Sequence, residues 1–332
     1  MSQFSETGRK PTPISVGVSA CILGHLVRFD GGHKRDRFVH QVLNEYLDFV
    51  PVCPEVEIGL PIPRATLRLV EEPRGGAPRL YMPKTDEDYT SAMESYATSR
   101  VKMVDEQGLC GFIVQAKSPS CGMERVRVYG AQSQGASRSG RGVFTRVLMA
   151  TYPSLPVEEV GRLNDWRIRD NFLTRVYAFQ RLRSLFDRDW TLGELVAFHA
   201  REKCLLMAHH LPTFQALGRL VASAKGRPPE AIEREYTDAF MAGLTNIVQA
   251  GHHMNVLSHC VGHFKQSLDR DDRQEMVQSI ERYRAGGVPL VAPMTLLRHH
   301  VRKQGVTYLA KQTYFDPYPS DLRMAGRGAP VA

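Results

Sequence analysis

Short apolar runs separated by polar turns mark the first half of the chain, and three of them lead to a cysteine. The three runs are residues 14–20, 49–52 and 112–114. Cys21 and Cys53 follow the first two runs directly, and Cys121 lies in the loop that follows the third. Apolar runs of this length are typical of strands buried on both faces, as in a parallel sheet. The pattern therefore predicts three buried strands, each with a cysteine near its carboxyl end.

Helical patterns fill the segments between these runs. Residues 34–46 carry an apolar stripe at helical spacing and predict the crossover helix of a βαβ unit. Residues 86–107 predict a second, longer helix that Gly108 ends. Weaker patterns predict short strands at 66–70, 81–82 and 125–129, a Gly/Ser/Arg-rich loop at 131–142 and a helix that begins over 144–149. The first half is therefore expected to be an α/β domain built on a parallel sheet.

The second half has a different character, because strand signals fade from about residue 164. Amphipathic helices are predicted at 165–186, 192–207, 213–224, 228–249, 256–268, 271–285 and 290–303. The sequence therefore predicts two domains: an α/β domain at 1–158 and an all-α domain at 159–332.

Convergence of the three strand-end cysteines is the central expectation. The carboxyl ends of parallel strands share one edge of the sheet, and ligands bind at that edge. Three thiolates meeting there are able to hold a metal or an iron–sulfur cluster. The alternative is packing, because dispersed cysteines in buried strands commonly serve as small apolar residues. Cys110, Cys204 and Cys260 lie in apolar contexts and are interpreted as packing residues.

Composition and charge narrow the class of protein. The chain has 332 residues, a formal net charge of +8 and six cysteines without a compact disulfide spacing. That cysteine usage is typical of a reducing, cytoplasmic setting. No apolar run approaches the roughly 18 residues of a membrane span, and the first dozen residues lack the apolar core of a secretory signal. The basic charge favours an acidic partner, above all nucleic acid, with a merely basic enzyme as the alternative.

Basic residues of the helical half are the candidates for contact with RNA phosphates. Along the helix at 165–186, an apolar stripe is expected to face inward and to leave most of five arginines free. A solvated basic face is the alternative for each of them. The residues selected as RNA-binding candidates are Arg175, Lys203, His209, Lys265, Arg298 and Lys311.

Six short motifs, in order over about the first 150 residues, resemble the 2-thiouracil desulfurase family. They are Ser19-Ala20-Cys21-Ile22-Leu23-Gly24, Arg28-Phe29-Asp30-Gly31-Gly32, Cys53-Pro54-Glu55, Gly59-Leu60-Pro61-Ile62-Pro63-Arg64, Ser118-Pro119-Ser120-Cys121-Gly122 and Gly142-Val143-Phe144-Thr145. The remainder, with Leu205-Leu206-Met207-Ala208-His209 and His263-Phe264-Lys265, resembles a helical domain of unknown function often appended to it. The two-domain chain resembles the bacterial RNA desulfidases that convert 4-thiouridine in tRNA to uridine.

The resemblance implies a cofactor, a reaction and a substrate. It implies a 4Fe–4S cluster held by Cys21, Cys53 and Cys121, whose open iron accepts the substrate's sulfur for release as hydrogen sulfide without net redox change. It implies tRNA as the substrate, with no membrane and no obligatory protein partner. Within three residues of these ligands, Glu55 is the candidate general base and Ser118 the candidate that orients the base or water.

Other interpretations of these residues and of the chain stay open at this point. Glu55 is alternatively an exposed strand-end carboxylate, and Ser118 an ordinary loop-capping hydroxyl. Lys117, Asp30 and Glu57 are further residues near the site without an assigned role. A desulfurase of free thiouracil or thionucleosides is one alternative function. An iron–sulfur regulator that binds nucleic acid without turnover is another.

Overall fold

The computed structural model describes residues 14–73, 75–130, 135–265 and 267–325. The chain divides into two compact units, the first running to Phe172 and the second spanning Leu173–Arg323. The division falls within one long helix, whereas the sequence placed the boundary between residues 158 and 159. The domain limits of 1–158 and 159–332 stay a prediction.

The first unit contains two sheets. Its strands in chain order are β1 (Ile14–Ser19), β2 (Leu47–Val52), β3 (Arg68–Val70), β4 (Arg79–Met82), β5 (Glu87–Asp88), β6 (Phe112–Val114), β7 (Val126–Tyr129), β8 (Ala136–Gly140) and β9 (Val157–Glu159). The first sheet has the order β2-β1-β6-β9, and every neighbouring pair is parallel. A Cβ atom on Gly17 would lie 2.3 Å from the ring of Phe112, so only glycine allows β1 and β6 to pack here. The predicted parallel-sheet α/β fold is confirmed.

The second sheet has the order β5-β4-β3-β7-β8 and is mostly antiparallel, with β3 and β7 as its parallel pair. Its strand β8 corrects the loop predicted at 131–142, of which residues 131–134 lie outside the described residues. The Gly/Ser/Arg composition of 136–140 gives no apolar alternation, because only Gly140 of this strand is buried. Its pairing with β7 supplies the strand geometry instead.

Four α-helices belong wholly to the described part of the first unit. They are α1 (Pro54–Glu57), α2 (Thr90–Arg100), α3 (Met103–Glu106) and α4 (Val143–Thr151), and the helix predicted to begin over 144–149 is present as α4. The prediction of a single helix over 86–107 is wrong in two respects: α2 begins only at Thr90, and the helix is interrupted between Arg100 and Met103. The Tyr89 amide donates to the Leu80 carbonyl, and the Leu80 amide donates to Thr90 Oγ1 at 2.8 Å, so pairing with β4 delays the helix to Thr90.

The crossover between β1 and β2 is helical only in part. Residues Phe38–Val42 form a wide π-type turn, and Leu43–Glu45 form a 3₁₀ turn. Before them, the amide of Lys34 donates to the Cys21 carbonyl at 2.9 Å, and that of Asp36 to Ile22 at 3.0 Å. These bonds hold the chain against the turn at Cys21 and prevent the helix predicted at 34–46 from starting early.

The second unit is helical throughout its described elements, as predicted. With the helix that crosses the unit boundary, the helices are α5 (Trp166–Phe186), α6 (Leu192–His209), α7 (Leu211–Ala222), α8 (Pro229–Leu244), α9 (Ala250–Gly262), α10 (Arg270–Arg284), α11 (Val291–Lys303), α12 (Thr307–Ala310) and α13 (Ser320–Ala325). Packed rings of Phe198, Tyr236 and Phe240 form part of the core. No helix in the described part of the chain combines the length and apolarity needed to cross a membrane.

Candidate functional site

Three cysteines lie at the carboxyl edge of the first sheet. Cys21 belongs to the 3₁₀ turn Ala20–Leu23 that follows β1, Cys53 follows β2, and Cys121 lies in the loop after β6. These strands are neighbours in the order β2-β1-β6. All three cysteines line one cavity of about 560 Å³. The topology thus brings together side chains that are as much as 100 residues apart in sequence.

The environment of these thiols favours their protonated form. Burial raises the pKa of Cys21 to about 11, and the nearby Cys53 adds to that shift. Burial likewise raises the pKa of Cys53, and it raises the pKa of the buried Cys121 thiol well above its usual value. Arg28 beside Cys21 and Arg64 beside Cys53 act in the opposite direction. Thiols of this kind become thiolates when a metal centre supplies the positive charge.

The Cys121 loop is held by its own hydrogen bonds. The Ser118 hydroxyl accepts from the backbone amides of Ser120 at 3.2 Å and Cys121 at 3.1 Å. The carbonyl of Cys121 accepts from the Thr145 hydroxyl at 2.6 Å. A hydrogen bond from Ser19 acts to lower the pKa of the Cys121 thiol. These contacts fix the direction in which the Cys121 side chain points.

Gly142 brings helix α4 against this loop. Its amide donates to the Gly122 carbonyl at 2.7 Å, and a Cβ atom on it would lie 2.5 Å from the backbone of Ser120. The amides of Val143 and Phe144 donate to the Pro119 and Ser120 carbonyls, both at 3.0 Å. The first amides of the helix thus find their acceptors in the cysteine loop.

Cys53 is positioned through Glu57. The backbone amide of Cys53 donates to Glu57 Oε1 at 2.9 Å, while Glu57 Oε2 accepts from the Tyr96 hydroxyl at 2.7 Å and from Arg100 Nε at 3.1 Å. Glu57 is not among the residues that line the cavity. Its carboxylate therefore orients the start of α1 and does not face the space beside the thiols.

Glu55 lines the cavity with its carboxylate fixed on both oxygens. Oε2 accepts from Arg64 Nε at 2.9 Å and from Arg64 Nη2 at 2.6 Å, and Oε1 accepts from the Ser120 hydroxyl at 2.9 Å. The Arg64 side chain is 3% exposed and that of Glu55 15% exposed. Glu55 is thus a largely buried, paired carboxylate, and the alternative of an exposed strand-end residue is wrong. Its role as general base stays a prediction.

Arg64 is the residue whose role sequence reasoning missed. Besides Glu55, its Nη2 donates to the Val27 carbonyl at 2.9 Å, and its backbone amide donates to the Phe29 carbonyl at 2.8 Å. One side chain thus braces the carboxylate and the loop that carries Arg28. The sequence signal was an arginine within the motif Gly59-Leu60-Pro61-Ile62-Pro63-Arg64, nine residues after Glu55.

Ser118 has the loop-capping contacts that the sequence left open as an alternative. Its oxygen accepts two backbone hydrogen bonds, which leaves the hydroxyl hydrogen able to donate. The residue also lines the cavity. A catalytic role for Ser118 stays a prediction.

Four cations line the same cavity: Arg28, Lys34, Arg64 and Lys117. Asp30, by contrast, does not line it and accepts from the Gly32 amide at 3.0 Å. The positive charge of the four cations favours thiolates and an anionic ligand over neutral groups. Across the described residues, no three His, Cys, Asp or Glu side chains are grouped closely enough to hold a single metal ion.

The other cysteines lie away from this cavity. Cys110 is buried beside β6. In the second unit, Cys204 on α6 and Cys260 on α9 are fully buried, and their sulfur atoms lie 4.0 Å apart as free thiols. These positions agree with their interpretation as packing residues.

Four of the six residues predicted to bind RNA in the helical half are buried, half-buried or paired with a carboxylate. His209 is 4% exposed and its Nδ1 is hydrogen-bonded to the Asn246 carbonyl at 2.7 Å, so it does not present a surface for phosphate. Arg175 is half-buried, with its Nε out of reach of solvent. Arg298 is exposed but paired with Asp316 at 2.8 Å. Lys203 is half-buried above the Phe214 ring.

The remaining two candidates, Lys265 and Lys311, are exposed, and no ion pair of either lysine with a carboxylate is present among the described residues. The expectation that most arginines along α5 stay free is wrong. Three of the five are engaged: Arg169 donates to the Leu163 carbonyl at 3.1 Å, Arg181 is paired with the fully buried Glu202 at 2.8 Å, and Arg183 is paired with Asp187 at 3.3 Å. Contact of any of these residues with RNA stays a prediction.

Two segments of the chain match families of known proteins. Residues 16–160 match the family described as 2-thiouracil desulfurase, and residues 203–319 match a family described as protein of unknown function (DUF1722). The chain is 29% identical over 167 residues to the uncharacterized protein YbgA of Escherichia coli (strain K12), covering 50% of this chain and 99% of that protein. The first half of the chain is thus similar to the 2-thiouracil desulfurase family, and most of the second half is similar to the DUF1722 family.

The chain is also similar to the solved structure of the [4Fe-4S]-dependent thiouracil desulfidase TudS (DUF523Vcz). The match has 28% sequence identity and a TM-score of 0.37, and it covers 45% of this chain and 93% of that one.

Proposed function

We propose that the protein is a desulfidase that converts 4-thiouridine in tRNA to uridine. The observation that carries the proposal is one cavity in which three strand-end cysteines meet the buried Glu55–Arg64 pair. This cavity lies in the segment that matches the 2-thiouracil desulfurase family.

The donors of the cavity fit an iron–sulfur cluster better than a single metal ion. Thiolates that share one ion must lie close together, and the described residues contain no such group. Thiolates that each bind a different iron are free to stand farther apart, and the cations that line the cavity compensate their charge. Cys21, Cys53 and Cys121 would hold a 4Fe–4S cluster, which supplies when bound a thiophilic iron without a protein thiolate.

The reaction balances without an oxidant or a reductant. One water supplies the oxygen of the new C=O bond, the C=S bond breaks, and both hydrogens of the water leave on sulfur as hydrogen sulfide. The protein must therefore activate water and move two protons. Glu55 is the carboxylate that lines the cavity, and Arg64 and Ser120 hold it in one orientation.

Ser118 supports this chemistry as a donor. Because its oxygen already accepts two backbone amides, its hydrogen is available to a group in the cavity. A positioned hydroxyl of this kind orients the pyrimidine or the attacking water. The resemblance to tRNA desulfidases and the net charge of +8 support a polynucleotide substrate.

The proposal is tested by comparing the turnover of thiolated tRNA with the turnover of free 2-thiouracil. Anaerobically prepared protein is incubated with each substrate, and loss of the thiocarbonyl absorbance is followed together with hydrogen sulfide release. Turnover of the tRNA supports the proposal. Turnover of free 2-thiouracil alone supports the free-thiobase alternative, and RNA binding without any turnover supports a regulator. The variant Cys121→Ala should abolish turnover, and Cys110→Ala is its matched control, since Cys110 does not line the cavity and Cys121 does.

A further inference from the structure

A basic groove lies beside the cysteine cavity, on the exposed face of the second sheet. Its volume is about 690 Å³. Along these strands Leu69, Val126 and Val128 are buried, and Leu69 and Val126 form part of the floor of the groove. The alternate positions face outward and line the groove: Arg68 on β3, Arg127 and Tyr129 on β7, and Arg138 on β8. We refer to this surface as the sheet groove.

Positive charge dominates the sheet groove. Six cationic side chains line it: Arg68, Lys117, Arg125, Arg127, Arg138 and Arg162. Two carboxylates also line it, and both are already engaged. Glu159 Oε1 accepts from the backbone amides of Met123 at 2.9 Å and Glu124 at 3.3 Å, and Glu124 Oε1 accepts from Arg162 at 2.7 Å.

Three of the arginines lack an acidic partner. Within the described residues, no carboxylate lies at ion-pair distance from Arg68, Arg127 or Arg138. Like charges on adjacent strands destabilise a sheet unless a counter-charge is present. An anionic ligand supplies that counter-charge, and a polyanion supplies several at once.

The sheet groove continues into the cysteine cavity. Both are lined by Thr66, Leu67, Ala116, Lys117 and Pro119. Lys117 belongs to the loop that carries Cys121, and its side chain is exposed at this shared border. A ligand with one end beside the three thiols is therefore able to reach across this shared border to the arginines of the sheet groove.

Tyr129 gives the sheet groove an aromatic surface. The Arg68 guanidinium lies 4.7 Å from the centre of the Tyr129 ring. Aromatic rings and arginine planes among cations are the surfaces on which unpaired bases stack, while the cations contact the backbone. This combination fits a strand of RNA better than an isolated phosphate ion.

From these observations we infer that the sheet groove binds the phosphodiester backbone next to the nucleotide whose base enters the cysteine cavity. The inference rests on the proposed function for the identity of that base. It assigns RNA contacts to the desulfurase domain itself, in addition to any made by Lys265 and Lys311. Substrates without a phosphodiester backbone, such as free thiouracil, gain nothing from this surface.

Charge removal in the full-length protein tests the inference. The variant Arg68→Gln/Arg127→Gln/Arg138→Gln is compared with Arg273→Gln/Arg282→Gln/Arg284→Gln, which removes the same charge from exposed positions on α10. Binding of unmodified and thiolated tRNA is measured over a salt series. We expect the groove variant to bind tRNA at least about tenfold more weakly, with a log–log salt slope smaller by about 2 to 3. The α10 variant keeps the parent's slope to within about one.

The outcomes separate this inference from the proposed function. If the parent desulfurates tRNA and the groove variant binds tRNA as tightly as the parent, the groove inference is wrong and the function stands. If the groove variant loses tRNA binding while the parent binds but never desulfurates tRNA, the groove stands and the function fails. Equal losses in both triple variants, or no tRNA binding by the parent, overturn the groove inference. Circular dichroism confirms that each variant is folded.

Discussion

Arg64 Nη2 lies 2.6 Å from Glu55 Oε2, and only 3% of the Arg64 side chain is exposed. The ion pair links two segments of the cavity wall, because Arg64 also donates to the carbonyl of Val27. Removing the partner of a largely buried carboxylate is costly, because the desolvated charge is then left without the contact that compensated it. The pair therefore contributes to the stability of the first unit as well as to the geometry of the site.

Replacing Arg64 alone is expected to destabilise the protein. Arg64→Met leaves Glu55 buried without its partner and should lower the free energy of unfolding by about 3 to 5 kcal/mol. Urea titration of the first unit's transition measures the change. The matched control is Arg79→Met, whose pairs with Glu72 and Asp88 are half-exposed and are worth about 1 kcal/mol or less. Arg64→Met/Glu55→Gln should recover part of the loss, and a double variant less stable than Arg64→Met contradicts the coupling.

Glu55 and Ser118 are expected to matter for turnover more than for cofactor content. Glu55→Gln keeps the shape of the side chain and removes its basicity, and Ser118→Ala removes the available donor. Each should reduce turnover of thiolated tRNA by about 100-fold or more. Iron and sulfide content, measured on the same samples, should stay near that of the parent. Glu106→Gln, at an exposed carboxylate of α3, is the control. Turnover at the parent rate excludes the residue from the chemistry, and loss of iron assigns it a structural role.

The three cysteines of the cavity are expected to be the ligands of the cofactor. Cys21→Ala, Cys53→Ala and Cys121→Ala should each lose the visible absorbance of anaerobically prepared protein, whose full content is about four irons and four sulfides. Cys110→Ala, Cys204→Ala and Cys260→Ala should retain it, because these cysteines do not line the cavity. An intact Cys121→Ala protein beside a colourless Cys204→Ala protein reverses the assignment.

Acid is expected to weaken the helical unit through His199. Burial, with Lys203 nearby, lowers the pKa of His199 below its ordinary value of about 6.5, and its Nδ1 lies 3.0 Å from the Tyr236 hydroxyl. At a pH below about 6.5, this histidine is protonated in the unfolded chain but still neutral in the folded chain. The free energy of unfolding therefore falls as the pH decreases from about 6.5 towards the lower pKa of the folded state. Thermal midpoints measured between pH 7 and 5 should therefore decline less steeply for His199→Asn than for the parent. His252→Asn, at an exposed histidine, should leave the parent's decline unchanged.

Local pattern alone was enough to predict the large elements. The apolar runs before Cys21, Cys53 and Cys121 correspond to β1, β2 and β6, and a parallel sheet brings their carboxyl ends to one edge. Of the helices α5 to α11, five begin and end within about two residues of their predicted limits. The exceptions are α8, which ends at Leu244 and not at residue 249, and α9, which spans Ala250–Gly262 and not 256–268. These features depend on periodicity along the chain, which a single sequence contains.

Contacts between distant segments were decided only by the tertiary structure. The pairing of 87–90 with β4, which shortens α2, involves backbone groups whose partner no local pattern identifies. From the sequence, His209 was selected as a basic residue for contact with RNA. In the structure it is buried and hydrogen-bonded to the Asn246 carbonyl. The ion pair of Glu55 with Arg64 depends equally on how the segment 59–64 folds back.

The sheet groove shows the same limit at the level of function. Its arginines come from β3, β7 and β8, and each is unremarkable within its own short strand. They become one charged surface only when the strands pair, β3 with β7 in parallel and β7 with β8 antiparallel. Residue identity and periodicity along the chain were enough to predict the cysteines, the strands that carry them and the helical half. Which charges meet, and which are buried or already paired, depended on non-local packing, because electrostatic contacts are set by distance in space and not by separation along the chain.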